Sequence, residues 1–159
     1  MTNTNKTRRL ARNWWKIKLF MLHQLPMGFI AGLKITEIDS EKSVVTVPFN
    51  FINKNPFNSM YFAVQAMAAE LSSGILALSE VNEASKPVSM LVINMKASYI
   101  KKAKSKVKFV CADGQKIRDA IIKSIETGEG RIIEVNSKGT DMHGDVVAEF
   151  VFTWTFKPK

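Results

Sequence analysis

A chain of 159 residues holds one ordinary domain, and 46% apolar content with ten Phe and three Trp fills one real core, which excludes intrinsic disorder. The single cysteine, Cys111, excludes an internal disulfide and agrees with a reducing compartment; between Val110 and Ala112 it reads as a small packed hydrophobe rather than a nucleophile. A net charge of +9 fits an anionic partner: nucleic acid, a membrane surface or a phosphorylated small molecule such as coenzyme A.

Residues 1–6 are polar. From Thr7 to about Gln24, Leu10, Trp14, Ile17 and Met21 recur at helical spacing, opposite Arg8, Arg12, Lys16 and His23. The pattern predicts an amphipathic helix that Pro26 and Gly28 break. Its stripe should pack on the domain or on a partner subunit, with attachment to a membrane surface as the rival reading. Two short strands follow, Leu33–Asp39 and Val44–Phe49, with Pro48 marking a strand end or an edge. Asn53–Asn58 is a loop. Met60 to about Val81 is then almost continuously apolar and too long for a strand. It predicts a helix capped by Ser59 and buried on most sides. Two β-rich runs (Val88–Ile100, Lys106–Cys111), a short helix over Asp113–Thr127 and two final strands (Arg131–Lys138, Val146–Phe156) complete the chain. In the last strand Val146, Ala148, Phe150, Phe152, Trp154 and Phe156 form one alternating apolar row.

Strands segregated around one long apolar helix predict an α+β domain. The simplest packing that buries the helix is an antiparallel sheet wrapped around it, which is the hotdog fold. The expected organisation is an N-terminal amphipathic helix over residues 1–27 and a hotdog domain over 28–159, one domain overall. The 114–127 helix is an extra element. Charge-free runs are shorter than the ~20 apolar residues of a membrane span, and Lys16 and Lys18 interrupt any signal-peptide pattern, so a cytoplasmic protein is expected.

The segment from Asn55 through Glu70 to Gly74 resembles the loop and central helix of hotdog-fold thioesterases, and over roughly residues 28–158, with the 114–127 helix as an insertion, the chain is similar to acyl-CoA thioesterases of the phenylacetic-acid-pathway type. In that family an Asn precedes a His-Gly-Gly turn at the helix start, and an acidic residue follows on the helix. Here Asn55 and Glu70 fit those positions, while Tyr61, Phe62 and Ala63 stand in place of His-Gly-Gly. The Ser98–Ala103 and Thr153–Pro158 segments are also similar to family strand endings. The departure at the turn removes two glycines that permit close backbone approach to a ligand.

The resemblance implies hydrolysis of an acyl-CoA or similar thioester at a dimer interface. Glu70, among Ala68, Ala69 and Leu71, would serve as general base or nucleophile. Backbone N–H groups near Ala63, at the helix N-terminus, would hold the oxyanion. Asn55 and Asn58 could orient water or the carbonyl, with loop capping as the alternative. Ser89 lies near a position where the family sometimes has Ser or Thr; an ordinary strand residue is the alternative. Tyr61 could donate a hydrogen bond in place of the missing His, or pack in the core. Lys101, Lys102 and Lys104 belong to the densest basic cluster and could meet coenzyme A phosphates, or line a solvated hairpin end. Ala63 and Glu70 are seven residues apart, roughly 10 Å along a helix. One carbonyl cannot easily meet both from one helix, so two subunits are expected, as a homodimer or a dimer of dimers.

Two distant histidines and one cysteine give no metal site, and neither a Gly-x-Ser-x-Gly elbow nor a phosphate loop occurs, so no cofactor is expected. Aromatics are not interleaved through the lysine cluster, which argues against nucleic acid. A basic adaptor at a nucleic-acid or membrane surface would rest only on charge and on the Trp14–Trp15 helix and ranks last, so a membrane partner is not expected either. The alternative to an enzyme is a non-catalytic acyl-ligand-binding protein on the same scaffold.

Overall fold

The computed structural model describes residues 8–9 and 13–159. Its elements are α1 (Trp14–Gln24), α2 (Pro26–Ile30), β1 (Lys34–Ile38), β2 (Ser43–Val47), α3 (Phe62–Glu83), β3 (Val88–Tyr99), β4 (Val107–Cys111), α4 (Gly114–Thr127), β5 (Arg131–Thr140) and β6 (Val146–Pro158). All six strands form one antiparallel sheet in the order β1-β2-β4-β5-β6-β3. The sheet curls around α3, and the architecture is the expected α+β hotdog fold.

The alternation read in β6 sets this packing. Ala148, Phe150, Phe152, Trp154 and Phe156 are all buried, while Glu149 between them is exposed. They share one core with Ala68, Ala69, Leu76 and Ala77 of α3, where the three alanines let helix and sheet approach closely. By length and composition α3 could cross a membrane, but more than half of that stretch is buried inside the domain, as a core helix should be. Hydroxyl groups join the layers. Ser72 Oγ lies 2.8 Å from Ser137 Oγ on β5, and Ser43 Oγ–H on β2 donates to the Ser72 carbonyl.

Three local expectations change. The N-terminal helix is interrupted: Asn13 caps α1, its Oδ1 accepting from Lys16 N–H at 3.2 Å, and Pro26 opens α2 instead of ending all helix. Proline fits a first helical turn because its missing N–H is not needed there. Ile17 and Met21 are buried as expected, whereas Leu10, Arg12 and the Trp14 side chain lie outside the described residues. Ser59 is not the cap of α3, because its hydroxyl and N–H are both held by Asn55; the helix starts three residues later, after Tyr61. Cys111 is fully buried, and burial pushes its thiol up to about 12.

Candidate active site

Asparagine chemistry shapes the loop before α3. Asn53 is buried, and its Nδ2 donates to the carbonyls of Ala31 and Pro48, both at 2.8 Å, pinning the loop to α2 and β2. Asn55 Oδ1 accepts from Phe57 N–H at 3.0 Å and from Ser59 N–H and Oγ–H, each at 3.2 Å. Asn55 is therefore the organiser of the turn, and only its Nδ2 remains to reach a ligand. Asn58 sits at φ 53°, a left-handed conformation that asparagine tolerates, which is the loop role weighed for it above.

The loop closes against β3–β4. Met60 N–H donates to the Ala103 carbonyl at 2.8 Å and Tyr61 N–H to the Asn53 carbonyl at 2.8 Å. Helical bonding then begins at Val64 N–H, which donates to Tyr61 O at 3.1 Å. Among the described residues, the N–H groups of Phe62 and Ala63 have no acceptor. Two orphan donors at the positive end of a long helix suit a developing oxyanion.

Glu70 lies two helical turns further on. It belongs to a half-buried stripe of Ala63, Met67, Glu70, Gly74, Leu78 and Val81, while the other sides of α3 are packed. Ser73 and Trp154 fix this turn: Trp154 Nε1–H donates to Ser73 Oγ at 3.2 Å, and Ser73 Oγ–H donates to the Glu70 carbonyl at 3.0 Å. The carboxylate lies over Gly74, in the space beside Trp154 that a side chain at residue 74 would fill. Among the described residues no ion pair or hydrogen-bond donor reaches it, and burial is the one influence on its charge. Burial with no compensating charge raises its pKa above the usual glutamate value.

Four rings link the helix start to the sheet. Tyr61 to Phe62, Phe62 to Tyr99 and Tyr99 to Phe150 meet edge-to-face at 4.9, 6.1 and 5.7 Å between centroids. Tyr99 Oη–H donates to the Phe62 carbonyl at 3.4 Å. Tyr61 is exposed, so it does not pack in the core; the helix begins with its ring turned outward.

The structure groups Asn55, Tyr61, Ala63 and Glu70 along one helix and its entry loop. The lysines divide. Lys101 is ion-paired with Asp141 at 3.3 Å and with Asp145. Lys102 and Lys104 are exposed on either side of buried Ala103, whose carbonyl touches the site loop. Ser89 is not brought to the site. Val88 and Met90 pair with inward residues of β6, so strand alternation turns Ser89 to the outer face, where its hydroxyl donates to Lys157 O at 3.0 Å. Sequence reasoning missed Gly74 and the Phe62–Tyr99 pair. A signal for the first existed: a glycine four residues after the glutamate, inside a helix where glycine is unfavourable.

No curated protein matches the sequence. Solved structures do. A Pseudomonas aeruginosa protein of unknown function, designated a probable thioesterase, is 21% identical over 96% of this chain and 94% of its own, with a TM-score of 0.76. A Chlorobaculum tepidum protein of unknown function is 15% identical over 99% and 100%, with a TM-score of 0.81. A Haemophilus influenzae thioesterase is 13% identical over 92% and 91%, with a TM-score of 0.67. These likenesses agree on the fold. The sequence itself matches a family described as a domain of unknown function, DUF4442, over residues 14–156, and the chain belongs to that family.

Proposed function

We propose that the protein is a thioesterase that hydrolyses an acyl-CoA, with Glu70 as general base or nucleophile and the orphan N–H groups of Phe62 and Ala63 as oxyanion donors. The carrying observation is Glu70 itself. A half-buried carboxylate without a partner costs stability, and such groups concentrate where their altered pKa is used. One structural neighbour, solved in two mutant forms, supports the reading. A Staphylococcus aureus thioesterase has been solved with a glutamine replaced by alanine, and the same protein with a glutamate replaced fifteen positions further on. Asn55 and Glu70 stand at the same interval here.

The site is read as completed by a second copy. β3 is twelve residues long and lies at the sheet edge, paired only with β6 among the described residues. Met95, Ala97 and Tyr99 pair with inward residues of β6 yet are exposed, and of the three Tyr99 is the one that meets Phe62 at the start of α3. A long exposed edge strand with an uncovered apolar face is a liability unless another strand pairs with it. Pairing through β3 would bring the Glu70 stripe of one subunit toward the helix start of the other. A dimer of dimers is compatible with the same contact.

Lys102 and Lys104 beside the site loop fit coenzyme A phosphates. A second reading, a non-catalytic acyl-ligand binder, has its own observation: the exposed rings of Tyr61 and Phe62 occupy the helix start where glycines would give a ligand close access. A thiol-release assay over short, long and aromatic acyl-CoAs separates the two. Hydrolysis of at least one supports the enzyme; binding without hydrolysis supports the binder.

A further inference from the structure

Helix α1 has two apolar sides. Ile17 and Met21 are buried in the core, but Trp15, Leu19 and Leu22 recur at intervals of four and three on another side and are 68, 66 and 51% exposed. Helix α2 continues this surface with exposed Met27 and Ile30. The Asn53 hydrogen bond to Ala31 O then ties the end of α2 to the loop that carries exposed Phe51. Exposed apolar surface on this scale marks a docking face.

Charge identifies what it docks to. Residues 1–36 carry seven Lys or Arg and no Asp or Glu; the first acidic residue is Glu37. Lys16 is exposed on α1 itself, Lys34 is exposed at the start of β1 four residues after α2, and Lys54 is exposed on the loop that carries Phe51. A second copy is a poor occupant, because a self-complementary contact would set this basic segment against itself.

We propose that the α1–α2 face lies on an anionic lipid bilayer, with Trp15, Leu19 and Leu22 entering the headgroup boundary and the basic residues meeting lipid phosphates and carboxylates. A membrane-surface partner ranked last on the sequence because it rested only on charge and on the Trp14–Trp15 helix, and charge-free runs are too short to span. A helix lying in the interface needs no span. The surface acts independently of the thioester chemistry, so either reading can fail alone.

Vesicle flotation of the full chain tests it. Wild type should float with vesicles containing about one third phosphatidylserine, and on the order of tenfold less with pure phosphatidylcholine or in high salt. Leu19→Ser with Leu22→Ser should cut flotation to a similar extent, and Lys16→Glu should weaken it, with far-UV circular dichroism unchanged in both. Glu70→Gln should float as wild type does, and the α1 variants should keep any hydrolysis of a water-soluble short-chain acyl-CoA. Wild type remaining unfloated with anionic vesicles would overturn the proposal. So would equal flotation of the double variant. A drop in oligomer mass in the double variant would also overturn it, since the face would then cover a second copy.

Discussion

The Glu70 carboxylate occupies the space that a side chain at residue 74 would fill: a Cβ on Gly74 would stand 2.9 Å from Glu70 Oε1 and 3.6 Å from the Trp154 ring. The glycine is thus the floor on which the carboxylate rests, one helical turn after it.

Gly74→Ala should therefore separate stability from function. The new methyl group displaces the flexible end of Glu70, which is cheap, and alanine gains about 1 kcal/mol of helix propensity over glycine. Thermal melting should show a midpoint equal to or above wild type. Hydrolysis of acyl-CoA should fall by about tenfold, since sub-ångström placement of a base governs its efficiency. A destabilised variant with full activity would refute the geometry.

The raised pKa of Glu70 gives a signed pH dependence. Burial penalises the charged form in the folded state, so the folded carboxyl holds its proton to higher pH than the unfolded one, whose ordinary value is 4.5. Between the two values the folded state binds more protons and stability falls as pH rises. Glu70→Gln lacks this loss. The difference in melting midpoint between Glu70→Gln and wild type should be smallest near pH 4 and grow in favour of the variant by neutral pH. Activity of wild type should rise with pH over the same window, as a base must be deprotonated to act. A difference that shrinks toward neutral pH would contradict this.

The lysines should differ among themselves. Replacing Lys102 and Lys104 together by Gln should raise the Kd for coenzyme A by roughly threefold or more, an effect that added salt abolishes. Lys101→Gln should do less, because its ammonium group is already held by Asp141 and Asp145. Calorimetry decides; equal effects at all three positions would point to general charge rather than a site.

Edge pairing is tested through side chains away from the candidate catalytic groups. Met95→Lys with Ala97→Lys places charge on the uncovered inward face of β3. Light scattering should give a dimer or tetramer for wild type and a monomer for the variant. A folded wild-type monomer at micromolar concentration would contradict the two-subunit site.

Much of this was legible because periodicity survives in the sequence. The apolar row ending in Trp154 and Phe156 specified β6 and its inward face, and the almost unbroken apolar run after Met60 specified a core helix. Glu70 stood out as the one carboxylate in that run before its last turn. The misreadings were local or tertiary. Ser59 looked like a cap, but Asn55 competes for it. Ser89 looked available, but which face of a strand a residue takes depends on the register with β6. The outward ridge of Trp15, Leu19 and Leu22 was hidden by the stronger expectation that a helix has one apolar side. The rings of Phe62 and Tyr99 meet across 37 positions in sequence, a contact that no local pattern encodes.

The most direct test of the central claim is the turnover of Glu70→Gln. The amide keeps size and shape but removes the anion, and general-base contributions are typically ~10²–10⁴-fold. Thiol release measured at saturating acyl-CoA should show a kcat at least about 100-fold below wild type, with KM little changed and the fold intact. Retained turnover in Glu70→Gln would contradict the account and place the chemistry on another residue.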